Sequence, residues 1–481
     1  IEGGLVHFYG KQFKFRYDDF TIHLGQIDRL NMKVYEKPDN KTEEPNLAEV
    51  TSAIENTRGI LRIDQPTNKS GQKFKNFPQY PILQTDTNAY VYYDQQDILK
   101  GIYPRESFNF NISPFTLRGL NLYSFSDSLI FPGRLMTGGI FPPLELSLKH
   151  QKDHSLGFET MKTPEKGLPV YGGKGRFYNS LSMSKSGLRG SGKLEYLNSV
   201  VISDDILFLP GQVTTVASLS VSKDTTGTGN PETHGDQMAI KWLPEQDKLV
   251  AQGTKEALKL YGGAFFGELA LDPKDLTASG TLSFDGYSIT SNQFKLRKDS
   301  YEIADGTLKI FRDSTSQKAR VEGAVDDSNL FIGSKLKGIV QVGQQQAHFE
   351  PASGDSRVEF TQNRFIGKPA RISWDIKDRM VLDDIALQMS AKPGDSLRFK
   401  SGQTEFRPSS QSIYAHRVEF IDVADVRIFP ADQNMTIRKE AKIDSLTQAT
   451  IVSRDTAMGH RVRHASVSIT DHRKYYARGV Y

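Results

Sequence analysis

The sequence predicts an all-β protein, and three observations lead to this prediction. Apolar and polar residues alternate at every second position in successive runs, which is the period of a half-buried strand. A strand–turn–strand pattern occurs twice within the chain. Phe (28), Tyr (19) and Gly (40) are abundant among the 481 residues, a composition that suits sheets joined by tight turns. We therefore expect an elongated stack of antiparallel sheets or a solenoid-like β-repeat, with at most one or two short helices.

The first predicted strands lie close to the N-terminus. Three alternating runs, Val6–Phe8, Phe13–Tyr17 and Ile22–Leu24, predict three strands. A polar, acidic segment at 38–45 follows. The next stretch, LAEVTSAIEN at 47–56, carries apolar residues at helical spacing. It is the best helix candidate in the chain, and we expect a short helix that caps one end of a sheet.

Residues 59–140 are rich in aromatic side chains. Tyr90, Tyr92 and Tyr93 are candidates for a platform that stacks on sugar rings, because amphipathic rings suit such surfaces. The alternative interpretation is that the same rings pack a face of the sheet. The Gly- and Pro-rich segment at 131–173 shows little periodicity and is interpreted as a long connection.

The central repeat is the strongest signal in the sequence. Its first copy starts near Tyr171 and its second near Tyr261, and each opens on Tyr-Gly-Gly. After those glycines the copies align without gaps at an offset of 88 residues. The matched pairs are Leu181 with Leu269, Leu188 with Leu276, Gly192 with Gly280, Leu194 with Leu282, Tyr196 with Phe284 and Ser203 with Ser291.

Charged positions do not persist between the two copies. Lys174, Arg176 and Arg189 of the first copy are replaced by Ala264, Phe266 and Thr277 in the second. The repeat therefore copies a way of folding, and any chemistry is expected in the unrepeated parts. We divide the chain into an aromatic-rich N-terminal β domain at 1–165, the central β-repeat at 166–311 and a C-terminal β-rich region at 312–481.

Composition and motifs bear on several functional classes. The chain contains no cysteine, which excludes disulfides, thiolate zinc sites and cysteine nucleophiles. Lys and Arg number 61 against 57 Asp and Glu, and this balance does not indicate nucleic-acid binding. H-E-x-x-H, G-x-S-x-G and phosphate-loop motifs are absent. Enzymes that need only two distant carboxylates stay possible, but the sequence favours a non-enzymatic role.

Pairs of adjacent aspartates occur at 204–205, 326–327 and 383–384. Adjacent residues on a strand point to opposite faces. We therefore interpret these pairs as turns and strand ends, and we assign no catalytic residue.

Two further groups of polar residues occur near the C-terminus. Four histidines lie near the C-terminus, at His416, His460, His464 and His472. A metal site needs at least three ligands, and the sequence does not show which residues would come together. Neither a metal site nor a cofactor is therefore assigned. Cations on a polar strand edge either bind anionic headgroups or protect that edge from mispairing; they are Arg427, Arg438, Lys439, Arg461 and Arg463.

The sequence predicts neither a membrane-spanning helix nor a signal peptide. No apolar run approaches the roughly 18–20 residues that span a bilayer as a helix, and the first residues show no signal-peptide pattern. The last residues, YYARGVY, are typical of the middle of a strand. We interpret the chain as a piece of a longer protein.

The phrases YGGKGRF, SGLRGSGKLEYLNS and EFIDVADVRIFP carry a resemblance. The chain resembles the large, uncharacterised repeat-containing cell-envelope proteins of Bacteroidetes-type bacteria over most of its length. This resemblance implies export across the inner membrane and a longer parent chain. In general style it also implies similarity to sheet-rich proteins that move lipids across the periplasm. It brings no catalytic residues with it.

Two functional hypotheses follow. The first is a non-enzymatic scaffold or conduit, in the periplasm or associated with the outer membrane, that binds a lipid or an envelope protein along a β-sheet face. The second is a glycan-binding or glycan-cleaving module that uses the aromatic region around Tyr90–Tyr93. A continuous apolar groove would favour the first, and an aromatic cleft with two facing carboxylates would favour the second.

Overall fold

The computed structural model describes residues 1–35, 46–71, 73, 79–122, 129–223, 229–312, 329–390, 397–455 and 459–481. Strands make up 65% and helical turns 3%, so the all-β class predicted from the sequence is confirmed. The helical residues form 3₁₀ turns at Pro66–Gly71, Tyr171–Gly173, Pro244–Gln246 and Lys439–Ala441. Within these described ranges, no helix is long and apolar enough to cross a membrane.

The chain forms two compact units, one of residues Ile1–Ser218 with Ala239–Leu249 and one of residues Leu219–Met238 with Val250–Tyr481. The division into three regions made from the sequence stays a prediction.

The first unit contains antiparallel strands that run into the first repeat copy. Its strands are β1 (Glu2–Gly3), β2 (Val6–Arg16), β3 (Thr21–Tyr35), β4 (Leu47–Glu49), β5 (Ile54–Arg62), β6 (Ile82–Thr85), β7 (Ala89–Tyr92), β8 (Phe108–Ile112), β9 (Thr116–Arg118), β10 (Ile130–Thr137), β11 (Leu144–His150), β12 (Leu156–Lys162), β13 (Leu168–Val170), β14 (Gly175–Ser184), β15 (Gly187–Tyr196) and β16 (Ser199–Leu209). Next in sequence come β17 (Gln212–Val221), β18 (Thr233–Leu243) and β19 (Lys248–Gly253). Several strands of the first unit pair out of chain order, such as β5 with β7, β6 with β9 and β8 with β10.

The second unit continues in the same antiparallel manner from the second repeat copy onward. Its strands are β20 (Leu258–Leu260), β21 (Gly263–Leu271), β22 (Leu276–Phe284), β23 (Tyr287–Arg297), β24 (Ser300–Phe311), β25 (Asn329–Gln341), β26 (Gln346–Pro351), β27 (Arg357–Phe360), β28 (Phe365–Lys368), β29 (Arg371–Asp375), β30 (Arg379–Met389), β31 (Arg398–Arg407), β32 (Ser412–His416), β33 (Ile421–Val423), β34 (Val426–Phe429), β35 (Met435–Ile437), β36 (Leu446–Ser453), β37 (Arg461–Asp471) and β38 (Lys474–Val480).

The two repeat copies adopt the same local structure. In the first, β14, β15 and β16 pair in order, and Gly192 lies opposite Ser203. In the second, β21, β22 and β23 pair in the same way, and Gly280 lies opposite Ser291. The matched apolar positions face the core, where Leu194 and its counterpart Leu282 are at most 1% exposed. The repeat is therefore a copied β-meander, as its sequence predicts.

Many strands contain a mid-strand bulge that the simple alternation does not anticipate. In β23 the inward residues Ile289 and Ser291 are followed by two exposed residues, and inward packing then resumes at Phe294. The Ser291 hydroxyl donates to the carbonyl oxygen of Asp305 at 2.6 Å and accepts the amide N–H of Gln293 at 3.1 Å. A bulge of this kind bends the strand while both of its halves keep their apolar side on the core.

The same bulge recurs in two other strands. The Ser203 hydroxyl of β16 donates to the carbonyl oxygen of Val216 at 2.9 Å and accepts the amide of Asp205 at 3.1 Å. The Ser401 hydroxyl of β31 lies 2.9 Å from the carbonyl oxygen of His416. A serine oxygen thus satisfies backbone groups that the bulge removes from the ladder.

These bulges explain the aspartate pairs. Asp204 and Asp205 lie inside β16 and are both exposed, and Asp383 and Asp384 lie inside β30. Their interpretation as turns and strand ends is therefore wrong. Because the bulge inserts an extra outward residue, the neighbours Asp204 and Asp205 share the solvent side. The third pair, at 326–327, lies outside the described residues.

Two other expectations are wrong. Residues 47–56 form the short strand β4 and the start of β5 instead of a helix. The amide of Thr51 donates to the carbonyl oxygen of His154 at 2.9 Å, and the Ser52 hydroxyl accepts the amide of Leu156 at 2.9 Å. These long-range hydrogen bonds override the weak helical spacing. The supposed connection at 131–173 contains β10 to β13.

Candidate functional site

The outward face of β5, β7 and β8 brings the N-terminal tyrosines onto a polar surface. Ala89 and Val91 of β7 face the core and are fully buried, so the alternate residues Tyr90 and Tyr92 face outward. Tyr90 lies opposite Glu55 on one side, in the register of β5 with β7. Both tyrosines are half-buried.

The two tyrosine rings form a supported stack. Their centroids lie 6.0 Å apart and their planes differ by 14°. The Arg105 guanidinium lies 3.9 Å from the centroid of the Tyr92 ring. The Asn56 side-chain amide donates to the Tyr92 hydroxyl at 3.2 Å. Tyr92 is therefore held in place and in turn supports Tyr90.

Tyr93, the third member of the predicted platform, does not take part. It is fully buried, and its hydroxyl donates to the carbonyl oxygen of Leu156 at 3.2 Å. Burial raises the pKa of Tyr93 well above its ordinary value. Of the three tyrosines, Tyr90 and Tyr92 face outward and Tyr93 packs the core.

Arg105 joins two carboxylates that are distant in sequence. Its Nη1 lies 2.9 Å from Glu55 Oε2, and its Nε lies 2.7 Å from Asp94 Oδ2. The hydrogen bonds with Asp94 and Glu55 raise the pKa of Arg105 above its ordinary value. Glu55 and Asp94 both bind the Arg105 guanidinium. They therefore do not form the free pair of acid and base that glycoside cleavage needs. The arrangement suits binding.

A cleft of about 440 Å³, lined mainly by polar residues, opens beside the Tyr90 ring. One wall is the bulge in β3, where the register with β5 shifts between Leu24 and Ile27. The cleft presents one aromatic ring together with amide, hydroxyl, carboxylate and guanidinium groups. Its lining residues are Gly25, Gln26, Ile27, Asp28, Asn56, Thr57, Arg58, Thr87, Asn88 and Tyr90.

Several polar groups of this cleft are held by neighbours. The Gln26 side-chain amide donates to Asp28 Oδ1 at 2.6 Å. Arg58 Nε donates to Asp86 Oδ1 at 3.0 Å. Thr57 donates to the carbonyl oxygen of Thr87 at 3.1 Å. Gln26 and Arg58 are thus oriented while exposed, and the buried Thr57 anchors the cleft floor to Thr87, which is typical of a preformed recognition surface.

A second cleft, of about 640 Å³, lies elsewhere in the first unit and is mainly apolar. Met136, Phe141 and Pro142 contribute to its walls, as do the repeat glycines Gly172 and Gly173. Glu106 is the one ionisable side chain among its lining residues. With so few polar groups the cleft has little to orient a ligand.

The C-terminal histidines are not brought together. His416 Nδ1 lies 2.8 Å from Asn434 Oδ1, His464 Nδ1 lies 2.7 Å from Gln448 Oε1, and His460 contacts the hydroxyl of Tyr481. Among the residues that the structure describes, no group of three or more His, Asp and Glu side chains could hold a metal ion.

Two cations of the predicted polar edge already have acidic partners. Arg427 Nε lies 2.8 Å from Asp422 Oδ1, and Arg438 Nη2 lies 2.9 Å from Asp444 Oδ2. These partners reduce the attraction that this edge has for anionic headgroups.

Comparison of the chain with protein-family models, with curated proteins and with solved structures finds no match. Function is therefore inferred from the geometry of the sites themselves.

Proposed function

We propose that this all-β protein is a non-enzymatic binding protein that takes a neutral carbohydrate chain on the Tyr90–Tyr92 face. The supported ring stack beside a preformed polar cleft is the observation that carries the proposal. Sugar rings present an apolar C–H face and a rim of hydroxyls. A fixed tyrosine ring packs against the first, and amide and hydroxyl groups bind the second.

Charge favours a neutral sugar over an acidic one. Arg58 is paired with Asp86, and Arg105 is paired with both Glu55 and Asp94. Asp28 adds a further carboxylate to the cleft. Carboxylates thus outnumber guanidinium groups around Tyr90, and like charges repel an anionic ligand.

Fewer features of the fold support the scaffold hypothesis, in which a lipid or protein partner binds along a sheet face. The inward apolar faces are filled by the protein's own side chains; for example, Phe177, Phe208 and Phe294 are fully buried. The apolar cleft at Phe141 is the feature that favours an apolar segment of a lipid or a protein partner as a second candidate ligand. A location in the periplasm or at the outer membrane, proposed from the resemblance, suits either ligand.

The carbohydrate proposal is tested with Tyr90→Ala. The wild-type protein is screened on a glycan microarray, and the best neutral oligosaccharide is then titrated by calorimetry. Loss of one buried aromatic contact costs about 1.5–3 kcal/mol, so affinity should fall by roughly 10- to 100-fold. Tyr178→Ala is the matched control, because Tyr178 also faces outward on a strand but lies on β14 and bonds to Glu195 at 2.9 Å.

A second variant tests the support beneath the stack. Arg105→Lys keeps the positive charge but removes the planar guanidinium over the Tyr92 ring. It also removes the fork of N–H donors that binds Glu55 and Asp94 together. Its affinity should fall several-fold, and no new reducing ends should appear when any variant is incubated with the oligosaccharide. The proposal is overturned if the wild type binds no neutral glycan, or if Tyr90→Ala binds as tightly as the control.

A further inference from the structure

The hairpin of β2 and β3 exposes an aromatic cluster at its closed end. Phe15 and Tyr17 are 54% and 65% exposed. The Phe15 ring contacts Tyr17 edge-on at 6.4 Å between centroids and Phe20 at 6.0 Å. Phe13 is half-buried on the same side of β2. A cluster of large aromatic rings on a solvent-exposed surface is typical of an interaction site.

The opposite side of this hairpin is cationic. Lys14 and Arg16 alternate with the aromatic residues on β2, and both are exposed. Lys14 lies opposite His23, and Arg16 lies opposite Thr21, which in turn pairs with Arg62 of β5. On β2 the aromatic rings therefore lie on one side and the cations Lys14 and Arg16 on the other, so both kinds of side chain surround the closed end of the hairpin.

Lysine and acidic residues complete the surface. Lys69 Nζ lies 4.3 Å from the centroid of the Tyr17 ring. Asp18 and Asp19 form the turn, and Asp19 lies 3.7 Å from Arg16. This surface carries more cations than carboxylates. The two aspartates are outnumbered by four cations, which are Lys14, Arg16, Arg62 and Lys69.

We propose that this hairpin end, defined by Phe13–Phe20 with Arg62 and Lys69, docks on a lipid surface that carries anionic headgroups. Tyrosine and phenylalanine rings settle at the boundary between headgroups and acyl chains. Long cationic side chains beside them reach the phosphate groups and are attracted by a negative surface potential. The two properties occur together at this end of the hairpin, and that juxtaposition selects a lipid surface over a purely apolar partner.

The test is flotation of the whole chain with vesicles of phosphatidylethanolamine and phosphatidylglycerol, and separately with phosphatidylcholine vesicles. The wild type should float with the anionic vesicles and much less with the neutral ones, and added salt should weaken the binding. The double variant Phe15→Ser/Tyr17→Ser and the charge variant Lys14→Glu/Arg16→Glu should each lose at least tenfold in vesicle affinity.

The matched control is Tyr476→Ser. Tyr476 is 62% exposed and has Lys474 Nζ at 5.5 Å from its ring, so it reproduces an exposed lysine–tyrosine pair elsewhere. This variant should float like the wild type. Circular dichroism confirms that each variant is folded.

A fluorescence experiment locates the contact. The two natural tryptophans, Trp242 and Trp374, are at most 3% exposed, so Phe15→Trp adds a solvent-exposed reporter whose emission should shift to the blue on anionic vesicles. The proposal is overturned if the wild type does not float, if the aromatic double variant floats unchanged, or if that variant changes only the oligomeric state in size-exclusion chromatography.

Discussion

The hydroxyl of Tyr171 donates a hydrogen bond to the carbonyl oxygen of Leu209 at 2.7 Å. Tyr261 makes the equivalent bond to Arg297 at 2.5 Å in the second repeat copy. In both copies the acceptor ends the third strand of the repeat, and both tyrosines have a positive φ, 46° and 53°. The first residue of each Tyr-Gly-Gly phrase thus ties the start of a repeat to its end.

We predict that Tyr171→Phe and Tyr261→Phe each destabilise the protein by about 1–2 kcal/mol, because a carbonyl oxygen loses its partner in a partly buried site. The measurement is denaturant unfolding followed by circular dichroism. Tyr178→Phe, which removes a hydroxyl from a surface position, should change the free energy of unfolding by less than about 0.5 kcal/mol. Equal effects of all three substitutions would contradict this role of the two tyrosines.

A second prediction concerns Gly280, at the centre of the second copy. Its φ is +146°, and an added Cβ would lie 2.1 Å from the carbonyl oxygen of Phe266. Gly280→Ala should therefore cost about 2–4 kcal/mol through strain and overlap with the neighbouring strand. Gly354→Ala is the control, since no heavy atom lies within 4 Å of the Cβ position there. An unfolding midpoint unchanged by Gly280→Ala would mean that the bulge relaxes freely.

The third prediction concerns acid stability. Glu405 is 11% exposed and contacts Arg407 Nε at 2.5 Å and Arg379 Nε at 2.9 Å. Burial raises the pKa of Glu405, but the hydrogen bonds from Arg407 and Arg379 outweigh it and hold the pKa below its ordinary value of 4.5. A depressed folded-state pKa contributes stability above the unfolded-state value, and this contribution is lost as pH falls through the folded-state value.

Glu405→Gln should therefore be clearly less stable than the wild type at neutral pH, and the gap should narrow when unfolding is measured at about pH 3. Thermal unfolding at a series of pH values provides the comparison. A gap that stays constant between neutral and acidic pH would show that the carboxylate charge contributes nothing and that only side-chain packing was changed.

Much of the fold could be predicted because strand alternation is a local property. Leu181 and Leu194, together with their counterparts Leu269 and Leu282, face the core as their spacing indicates. The exceptions have a common physical cause. At 47–56 the apolar spacing favours a helix, but hydrogen bonds to residues about a hundred positions away, such as that from Thr51 to His154, hold the segment in extended structure. Bulges likewise depend on which strand lies alongside.

The candidate site was only partly foreseen. Aromatic content indicates Tyr90–Tyr93, but the residues that each ring contacts depend on how β7 pairs with β5 and β8. Glu55, Asp94 and Arg105 carry no recognisable spacing, so their convergence was missed. The signal that could have found the outward pair is the alternation of Tyr90 and Tyr92 with Ala89 and Val91.

The sequence by itself determined that the protein is all-β, that it contains a copied meander and that the copies share structure without sharing charge. These properties follow from the two-residue period of a strand and from the turn preferences of glycine, both of which act between near neighbours. The tertiary structure alone decided where Arg105 meets Glu55 and Asp94 and which tyrosines form the supported stack. Those contacts join residues that become neighbours only when strands pair, and pairing is set by packing across the whole sheet.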